Sequence, residues 1–302
     1  MSDSILDTPP SASRIPHPRA MLELIKPITW FPPMWAYLCG IVSAGVWPDN
    51  TALVLLGVLL SGPIVCGMSQ AANDWCDRHV DAINEPHRPI PSGRIPGYCG
   101  LWIALTMSAL ALAAGWLLGP WGFGATLVAV AAAWAYSAEP LRAKRSGWWG
   151  PGLVGLSYEA LPWFTGAAVT LAAAPRFEIV IVALLYGLGA HGIMTINDFK
   201  AIEGDRQMGL RSLPVVLGPV DAATVAGTVM VLAQLVVVAL LVIFGAPFHA
   251  ALIALGVAAQ IWALARWRRD PARLAPWFNG TGVGPYVLGM MVAALALRGL
   301  GV

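Results

Sequence analysis

Two acidic segments carry most of the chemistry that this chain can perform. The first reads NDWCDRHVD over residues 73–81, and the second reads NDFKAIEGDR over residues 197–206. Each is followed by a stretch that contains arginine and proline, at residues 88–94 and 211–214. Carboxylate and amide oxygens favour Mg²⁺ over Zn²⁺, and Mg²⁺ is commonly held by one or two carboxylates together with substrate phosphates. The two segments therefore predict a magnesium site that binds a phosphorylated ligand.

Helical periodicity orders the candidate ligands of the first segment. Asn73, Asp77 and Asp81 recur every four residues, so they share one face of a helix. Asp74 lies three residues before Asp77, which is close enough to join that face. Clustered like charges beside a lipid phase are costly unless a cation offsets them. We therefore expect all four side chains to contribute to the metal site.

The second segment has a related arrangement. Asp198 and Asp205 are seven residues apart and fall on one helical face, with Asn197 beside them. Glu203 points elsewhere in a regular helix, but a break at Gly204 would return it to the site. The predicted metal ligands are therefore Asn73, Asp74, Asp77, Asp81, Asn197, Asp198, Glu203 and Asp205, and the predicted catalytic residues among them are Asn73, Asp77, Asp81 and Asp205. The alternative is two solvated acidic loops, which the cost of charge beside a bilayer disfavours.

Basic residues near these segments are candidates for binding the phosphate groups. Arginine grips phosphate through a bidentate fork, whereas lysine acts as a point charge. The candidates are Arg78, Arg88, Lys144, Arg145 and Arg206. Any one of them could instead only orient the chain against anionic lipid.

Composition places the segments in a polytopic membrane protein. Of the 302 residues, 58% are hydrophobic and 11% are charged, whereas a soluble domain carries about 25% charged residues. The continuous apolar runs predict an all-α protein with nine membrane-spanning helices, at residues 28–46, 51–71, 99–118, 121–137, 151–172, 178–196, 217–244, 248–265 and 279–297. The net charge of +2 and the lack of a long basic run argue against nucleic-acid binding.

The basic residues also predict the topology. All Lys and Arg residues except Arg176 and Arg298 fall on one side of the nine predicted helices. The positive-inside rule places that side and the N-terminus in the cytoplasm, and the C-terminus on the opposite side. Both acidic segments then face the cytoplasm, at the ends of helices two and six, which predicts two similarly oriented four-helix units plus one helix. We expect residues 1–20 to form a flexible cytoplasmic tail and residues 21–302 a single intramembrane domain.

Several motifs give the chain a resemblance to a known family. NDWCDRHVD matches the NDxxDxxxD signature of the UbiA superfamily of intramembrane prenyltransferases. The longer strings at residues 23–40, 73–95, 136–150 and 197–214 are similar to those of its chlorophyll and bacteriochlorophyll synthases. The resemblance covers essentially the whole chain after residue 20.

One departure from the superfamily pattern concerns the second segment. A DxxxD motif, which many members carry, would place an aspartate at position 201, where this chain has Ala201. As in the pigment synthases that the chain resembles, Asp198 or Glu203 would supply the missing carboxylate.

The resemblance implies a UbiA-type prenyltransferase fold and a Mg²⁺-dependent transfer of a C20 prenyl group. The donor would be geranylgeranyl or phytyl diphosphate, and the acceptor would be the propionate carboxylate of bacteriochlorophyllide. The basic candidates would then bind the diphosphate. The enzyme would lie among the lipids of the inner membrane, cytoplasmic or intracytoplasmic and photosynthetic, with other pigment-biosynthesis enzymes as candidate partners.

Two polar residues inside apolar runs are candidates for the pigment pocket. Glu159 could orient a pigment carbonyl or a water, and His191 could ligate the central metal of the pigment. Each could instead be a hydrogen-bond partner between helices. Most of the 14 tryptophans are expected at the membrane interfaces, and some could stack on a flat macrocycle.

The sequence leaves other functions open. The acceptor could be chlorophyllide, or a quinone precursor or haem in another UbiA-type reaction. Outside the enzymes, a transporter would carry charged residues along its spans, and a pigment-binding scaffold would not require paired acidic segments. Neither alternative accounts for acids that are concentrated on one side of nearly uncharged helices.

Overall fold

The protein is helical throughout the part of the chain that the structure describes. A computed structural model describes residues 16–300. The helices are α1 Pro18–Ile25, α2 Phe31–Ser43, α3 Thr51–Leu59, α4 Gly67–Asn84, α5 Cys99–Leu117, α6 Gly119–Ser137, α7 Trp149–Gly155, α8 Leu161–Leu171, α9 Phe177–Asp198, α10 Ile202–Gln207, α11 Leu213–Leu217, α12 Pro219–Ile243, α13 Pro247–Trp267, α14 Pro271–Thr281 and α15 Val283–Arg298. The predicted all-helical class is confirmed.

Six stretches within this described range are long and apolar enough to cross a membrane. They are Thr51–Asn84, Cys99–Leu117, Phe177–Asp198, Pro219–Ile243, Pro247–Trp267 and Pro271–Arg298. The three other predicted spans coincide with α2, α6 and the stretch from α7 to α8. The chain is therefore a polytopic integral membrane protein, while the count of nine crossings stays a prediction.

Two π-helical turns join consecutive helices into longer rods. The turn Leu60–Cys66 contains Pro63 and links α3 to α4, and the turn Leu156–Ala160 precedes Pro162 and links α7 to α8. Proline lacks a backbone N–H and crowds the preceding helical turn, which a locally wider turn accommodates. Helix α4 runs on to Asn84, beyond the end of the predicted span. The whole first acidic segment consequently lies on one helix.

Helices α2 and α8 pack with their backbones in close approach. A Cβ on Gly40 would lie 2.0 Å from the carbonyl oxygen of Trp163, and one on Gly166 would lie 2.1 Å from that of Tyr37. Small residues at such positions are typical of helices that pack within lipid. Helix α2 also packs against α15, which closes the bundle.

Aromatic side chains fill the space around α9. Trp163 stacks on Tyr186 with ring centroids 5.6 Å apart, and Tyr186 meets Tyr286 edge to face at 5.1 Å. The hydroxyl of Tyr286 donates a hydrogen bond to the backbone carbonyl of Tyr186. Offset and edge-to-face ring pairs add to the stability gained from burial. This packing, together with contacts to α12, fixes the helix that carries the start of the second acidic segment.

Helix α1 braces the loop that follows the first acidic segment. The predicted tail at residues 1–20 lies outside the described residues as far as residue 15, and residues 18–20 already belong to α1. Helix α1 packs against α4 through its buried Leu24. Glu23 accepts two hydrogen bonds from Arg94, from Nη1 at 2.5 Å and from Nη2 at 2.8 Å. The loop from α4 to α5 is therefore held against α1.

Candidate active site

Both acidic segments line one cavity. This cavity, called the acidic cavity below, has a volume of about 620 Å³ and lies where α4, α9 and α10 meet the loop between α6 and α7. Its lining includes Asn73, Asp77 and Asp81 from α4, Asp198 from α9, Asp205 from α10, and the basic residues Arg88, Lys144 and Lys200. The fold thus brings two distant parts of the sequence to a single space.

Each cavity-facing carboxylate of the first segment is paired with a cation. Asp77 accepts a hydrogen bond from Nη2 of Arg142 at 2.8 Å and another from Nζ of Lys144. Asp81 accepts one from Nη1 of Arg88 at 3.0 Å. Burial lowers the pKa of the Lys144 ammonium, and the charge of Asp77 opposes that shift. The protein itself therefore balances the negative charge of this segment.

Asp74 faces away from the acidic cavity. Its Oδ1 lies 2.8 Å from Nζ of Lys26 and 3.5 Å from Nη1 of Arg88, and its side chain is only 2% exposed. Its Oδ2 is buried without a hydrogen-bond partner among the described residues. Arg88 contacts both Asp74 and Asp81, so Asp74 helps to hold the guanidinium of Arg88 beside Asp81. Asp74 therefore does not line the acidic cavity, but Arg88 links it to Asp81.

The second segment is broken into two helices. Helix α9 ends at Asp198 and α10 begins at Ile202, so Asp198 and Asp205 lie on different helices rather than on one helical face. The turn between the helices directs both residues to the acidic cavity. Neither forms a salt bridge within residues 16–300. Burial raises the pKa of the Asp205 carboxyl, which the Ser212 hydroxyl opposes.

Two other predicted ligands of the second segment lie outside the cavity. Asn197 is exposed at the end of α9. Glu203 is exposed on α10, where it pairs with Arg206 at 2.8 Å. The helix break falls before Gly204, at residues 199–201, so it does not return Glu203 to the site.

Three of the five basic candidates lie outside the acidic cavity, namely Arg206, which pairs with Glu203, and Arg78 and Arg145. The guanidinium of Arg78 lies over the ring of Trp75, 4.0 Å from its centroid. Arg145 forms an ion pair with Glu139 at 2.7 Å, and both side chains are more than half exposed. Arg78 and Arg145 therefore interact with Trp75 and Glu139 and not with the carboxylates of the first segment.

Backbone hydrogen bonds hold the loop that carries Lys144 against the second segment. The N–H of Arg211 donates to the carbonyl of Arg145 at 3.0 Å, and the N–H of Gly147 donates to the carbonyl of Arg211 at 2.8 Å. A Cβ on Gly147 would lie 2.5 Å from the backbone nitrogen of Leu213. Glycine permits this close approach, which keeps Lys144 at the cavity.

Sequence reasoning did not select two cations that the structure places on the acids. Lys26 contacts Asp74 across 48 positions of the chain, and Arg142 contacts Asp77 across 65 positions. Both are basic residues of predicted cytoplasmic segments. The sequence therefore predicts that a positive charge lies on this side, but it does not predict which aspartate that charge contacts.

A second cavity adjoins the acidic one and contains one of the two pigment-pocket candidates. Its volume is about 1160 Å³, its walls are mostly apolar, and it shares Ser146 and Gly147 with the acidic cavity. His191 lines this cavity, whereas Glu159 is buried in the π-helical turn before α8 and lines neither cavity. We call this space the apolar cavity below.

The donor set of the acidic cavity fits Mg²⁺ when a ligand supplies further oxygens. Carboxylate side chains from both segments and the amide side chain of Asn73 line the cavity. Within residues 16–300, no group of three or more His, Cys, Asp and Glu side chains is arranged to hold a metal ion by itself. Mg²⁺ is often held by one or two carboxylates plus phosphate oxygens, so a phosphorylated ligand would complete the site.

Comparison with known proteins places this site in a family. The model of the UbiA prenyltransferase family matches residues 30–297. The fold is similar to that of a UbiA homolog from Archaeoglobus fulgidus bound to GPP and Mg²⁺, with a TM-score of 0.75 and 20% identity, over 92% of this chain and 99% of that chain. The chain is an integral-membrane prenyltransferase and belongs to the UbiA prenyltransferase family.

Two bacterial relatives are far more similar in sequence. The chain is 69% identical to the bacteriochlorophyll synthase 33 kDa chain of Cereibacter sphaeroides, over 95% of each chain. It is 66% identical to the protein of the same name from Rhodobacter capsulatus, over 98% of this chain and 99% of the relative. The predicted resemblance to the pigment synthases of the superfamily is confirmed.

Proposed function

We propose that this protein catalyses the bacteriochlorophyll synthase reaction. It transfers a geranylgeranyl or phytyl group from the corresponding diphosphate to the propionate carboxylate of bacteriochlorophyllide. The two bacterial relatives that carry this name match nearly the whole chain. The structural observation that carries the proposal is the acidic cavity, which both acidic segments line together with basic residues, beside an apolar cavity.

In this proposal the acidic cavity binds the diphosphate through magnesium. Asn73, Asp77 and Asp81 from one side, and Asp198 and Asp205 from the other, are the residues that would hold Mg²⁺. This assignment is supported by the position of all five side chains, which carry oxygen atoms and line the same cavity. Bound Mg²⁺ would neutralise the diphosphate and stabilise the charge that it gains on leaving. The neutral oxygen of Asn73 limits the total negative charge.

Three cations that pair with the carboxylates of the first segment would bind the diphosphate oxygens. Arg88, Arg142 and Lys144 each contact a carboxylate of that segment, which places them beside the position of the ligand. Arginine and lysine both pair strongly with phosphate. Asp77 and Asp81 would hold the metal, and the cations that pair with them here would then be available to pair with the phosphate oxygens. Each charge would thus keep a partner where water is scarce.

The bond-forming step needs no general base from the protein. A propionate carboxyl has a pKa of about 4 and is ionised at neutral pH. One of its oxygens forms the ester bond to C1 of the prenyl group, while the bond from C1 to the diphosphate oxygen breaks and its electron pair leaves with the diphosphate. The mostly apolar walls of the neighbouring cavity help to keep water from the activated carbon.

We place the acidic cavity at the cytoplasmic face of the inner membrane or of an intracytoplasmic photosynthetic membrane. The N-terminus would lie on the same side and the C-terminus on the opposite side, with residues 21–302 as one domain. The support is the distribution of Lys and Arg, of which all but Arg176 and Arg298 fall in segments assigned to the cytoplasm.

A competition assay with membranes that contain the protein tests the proposal. The membranes receive labelled geranylgeranyl and phytyl diphosphates together with bacteriochlorophyllide, chlorophyllide and an aromatic quinone precursor, with and without Mg²⁺. We expect labelled bacteriochlorophyllide ester as the main product, formed only with Mg²⁺. A main product formed from chlorophyllide or from the quinone precursor would overturn the assigned acceptor.

A further inference from the structure

The apolar cavity is large for a small-molecule site. Its volume of about 1160 Å³ exceeds the range of about 300–1,000 Å³ that is typical of such sites. It is open on one side and is lined by helices α6, α7, α9 and α11 and by the loop between α6 and α7. Ser146 and Gly147 line both this cavity and the acidic cavity, so a ligand here lies next to the diphosphate site.

The lining of the cavity combines aromatic surface with positive charge. Trp148 and Trp149 are 53% and 77% exposed, although indole rings are among the most favourable groups to bury. Arg142, Arg145 and Arg211 line the same cavity, and of these Arg211 forms no salt bridge within residues 16–300, whereas Arg142 pairs with Asp77 and Arg145 with Glu139. The combination suits a large flat ligand that carries a negative charge at one edge.

A buried imidazole adds a third feature. His191 is 6% exposed and lines the cavity, with its ring centroid 5.6 Å from that of Trp148. Neither ring nitrogen forms a hydrogen bond of normal geometry within residues 16–300, although the backbone of Trp148 lies close enough to interact with the ring. Buried polar atoms are nearly always satisfied, so this weakly engaged imidazole has a nitrogen available to a ligand. A neutral imidazole is a good ligand for a metal ion.

We propose that the apolar cavity binds the tetrapyrrole acceptor and that His191 is the axial ligand of its central metal. The inference rests on the proposed function and assigns a place to the second substrate. The macrocycle lies against Trp148, and its propionate points to the wall at Ser146 and Gly147 that the two cavities share. Axial ligation requires the imidazole to turn from Trp148 toward the macrocycle.

The same features argue against the prenyl chain as the occupant. A C20 hydrocarbon has no group that uses an imidazole, and no charge that pairs with arginine along its length. A metallated macrocycle with a carboxylate edge uses the indole surface, the imidazole and the arginines together. The cavity therefore fits the acceptor better than it fits the donor.

Two substitutions test the role of the cavity and the role of the His191 imidazole separately. Gly152→Leu places a larger side chain on the cavity wall, where a Cβ meets only the Cδ2 of His191 at an ordinary 3.8 Å. His191→Phe keeps a ring of similar shape but removes the nitrogen ligand. Gly124→Leu is the matched control, since this exposed helical glycine has no atom within 4 Å of a Cβ. Leu188→Trp, at another lining position, replaces Gly152→Leu if that variant fails to fold.

Absorption titrations with purified protein provide the readout. Bacteriochlorophyllide and its metal-free form are each added to every variant, and the visible bands that respond to axial ligation are recorded. For the wild type we expect at least about tenfold tighter binding of the metallated pigment, the factor that about 1.4 kcal/mol gives. His191→Phe should remove this preference and the change in the absorption bands that ligation causes. Gly152→Leu should weaken the binding of both pigments at least tenfold. The KM for prenyl diphosphate should stay unchanged in both.

The outcomes separate this inference from the proposed function. Wild-type esterification of the pigment, together with unchanged pigment binding in Gly152→Leu and Leu188→Trp, would overturn the cavity assignment. An unchanged metal preference in His191→Phe would overturn the axial ligand. Failure of the wild type to esterify any tetrapyrrole would overturn the proposed function itself.

Discussion

The two acidic segments line the same cavity but differ in how their charge is balanced. In the first, Asp77 and Asp81 are paired with Arg142, Lys144 and Arg88. In the second, neither Asp198 nor Asp205 forms a salt bridge within the described chain, and burial raises the pKa of Asp205. Within residues 16–300, protein cations therefore pair with the cavity carboxylates of the first segment, whereas those of the second form no salt bridge.

The difference suggests a division of labour between the segments. Arg88, Arg142 and Lys144 neutralise the cavity carboxylates of the first segment, and we propose that they pair with the diphosphate when it binds. The second segment contributes carboxylates that form no salt bridge within residues 16–300, although Lys200 lines the same cavity, and we propose that they bind the metal. Substitutions that remove charge from one segment at a time can break or sharpen this comparison.

The largest effect is expected on transfer when either segment loses a cavity carboxylate. Asp77→Asn or Asp205→Asn should reduce prenyl transfer by at least about 100-fold, because each removes a ligand that stabilises the leaving diphosphate. Initial rates in membranes, normalised to the amount of inserted protein, measure the loss. Asp221→Asn is the control, since this exposed aspartate lies outside both cavities. Wild-type rates in Asp205→Asn would remove the second segment from the site.

A smaller loss is expected from Asp74→Asn. Asp74 contacts Lys26 and Arg88 rather than the acidic cavity, so the substitution loosens Arg88 without removing a metal ligand. A charge-assisted hydrogen bond contributes about 1.5–3 kcal/mol, so we expect the KM for prenyl diphosphate to rise about tenfold. The Mg²⁺ concentration for half-maximal rate should not change. A marked rise in that concentration would instead identify Asp74 as a metal ligand, as its spacing in the sequence suggests.

Loss of a carboxylate should change the stability of the protein differently in the two segments. Without added Mg²⁺ or diphosphate, Asp77→Asn leaves Arg142 and Lys144 without their carboxylate and should lower stability by about 1–3 kcal/mol. Asp205→Asn removes an unpaired buried carboxylate and should leave the Tm unchanged or raise it. Thermal unfolding of both variants in detergent, under identical conditions, makes the comparison. A larger loss of Tm in Asp205→Asn would contradict the charge balance described here.

The smallest effect is expected from Glu203→Gln. Glu203 is exposed and pairs with the exposed Arg206, and surface ion pairs contribute about 0–1 kcal/mol. Transfer rates should stay within about threefold of the wild type. A loss as large as that of Asp205→Asn would show that α10 turns Glu203 into the site during turnover.

The sequence predicted the first segment better than the second for a physical reason. A spacing of four residues places side chains on one face wherever the helix is continuous, and α4 is continuous through Asn73, Asp77 and Asp81. The prediction of one helical face for Asp198 and Asp205 is wrong, because α9 ends at Asp198. Spacing alone does not reveal a turn of three residues that redirects the chain.

Ion pairs between residues far apart in the chain could also not be predicted from the sequence. The spacing of Asp74 predicted a metal ligand, which stays a prediction, but it did not reveal the ion pair with Lys26, which follows α1. The apolar runs predicted the membrane helices well, since burial in lipid depends mainly on length and composition. The π-helical turn Leu60–Cys66 was not predicted, although Pro63 was visible as its cause.

The central claim is that both acidic segments hold the same magnesium–diphosphate unit. Binding of an unreactive thio analogue of geranylgeranyl diphosphate to purified protein, titrated across Mg²⁺ concentrations, tests it directly. We predict that Mg²⁺ strengthens binding to the wild type and that Asp77→Asn and Asp205→Asn each lose this Mg²⁺-dependent gain. Full Mg²⁺-dependent binding in either variant would contradict the claim.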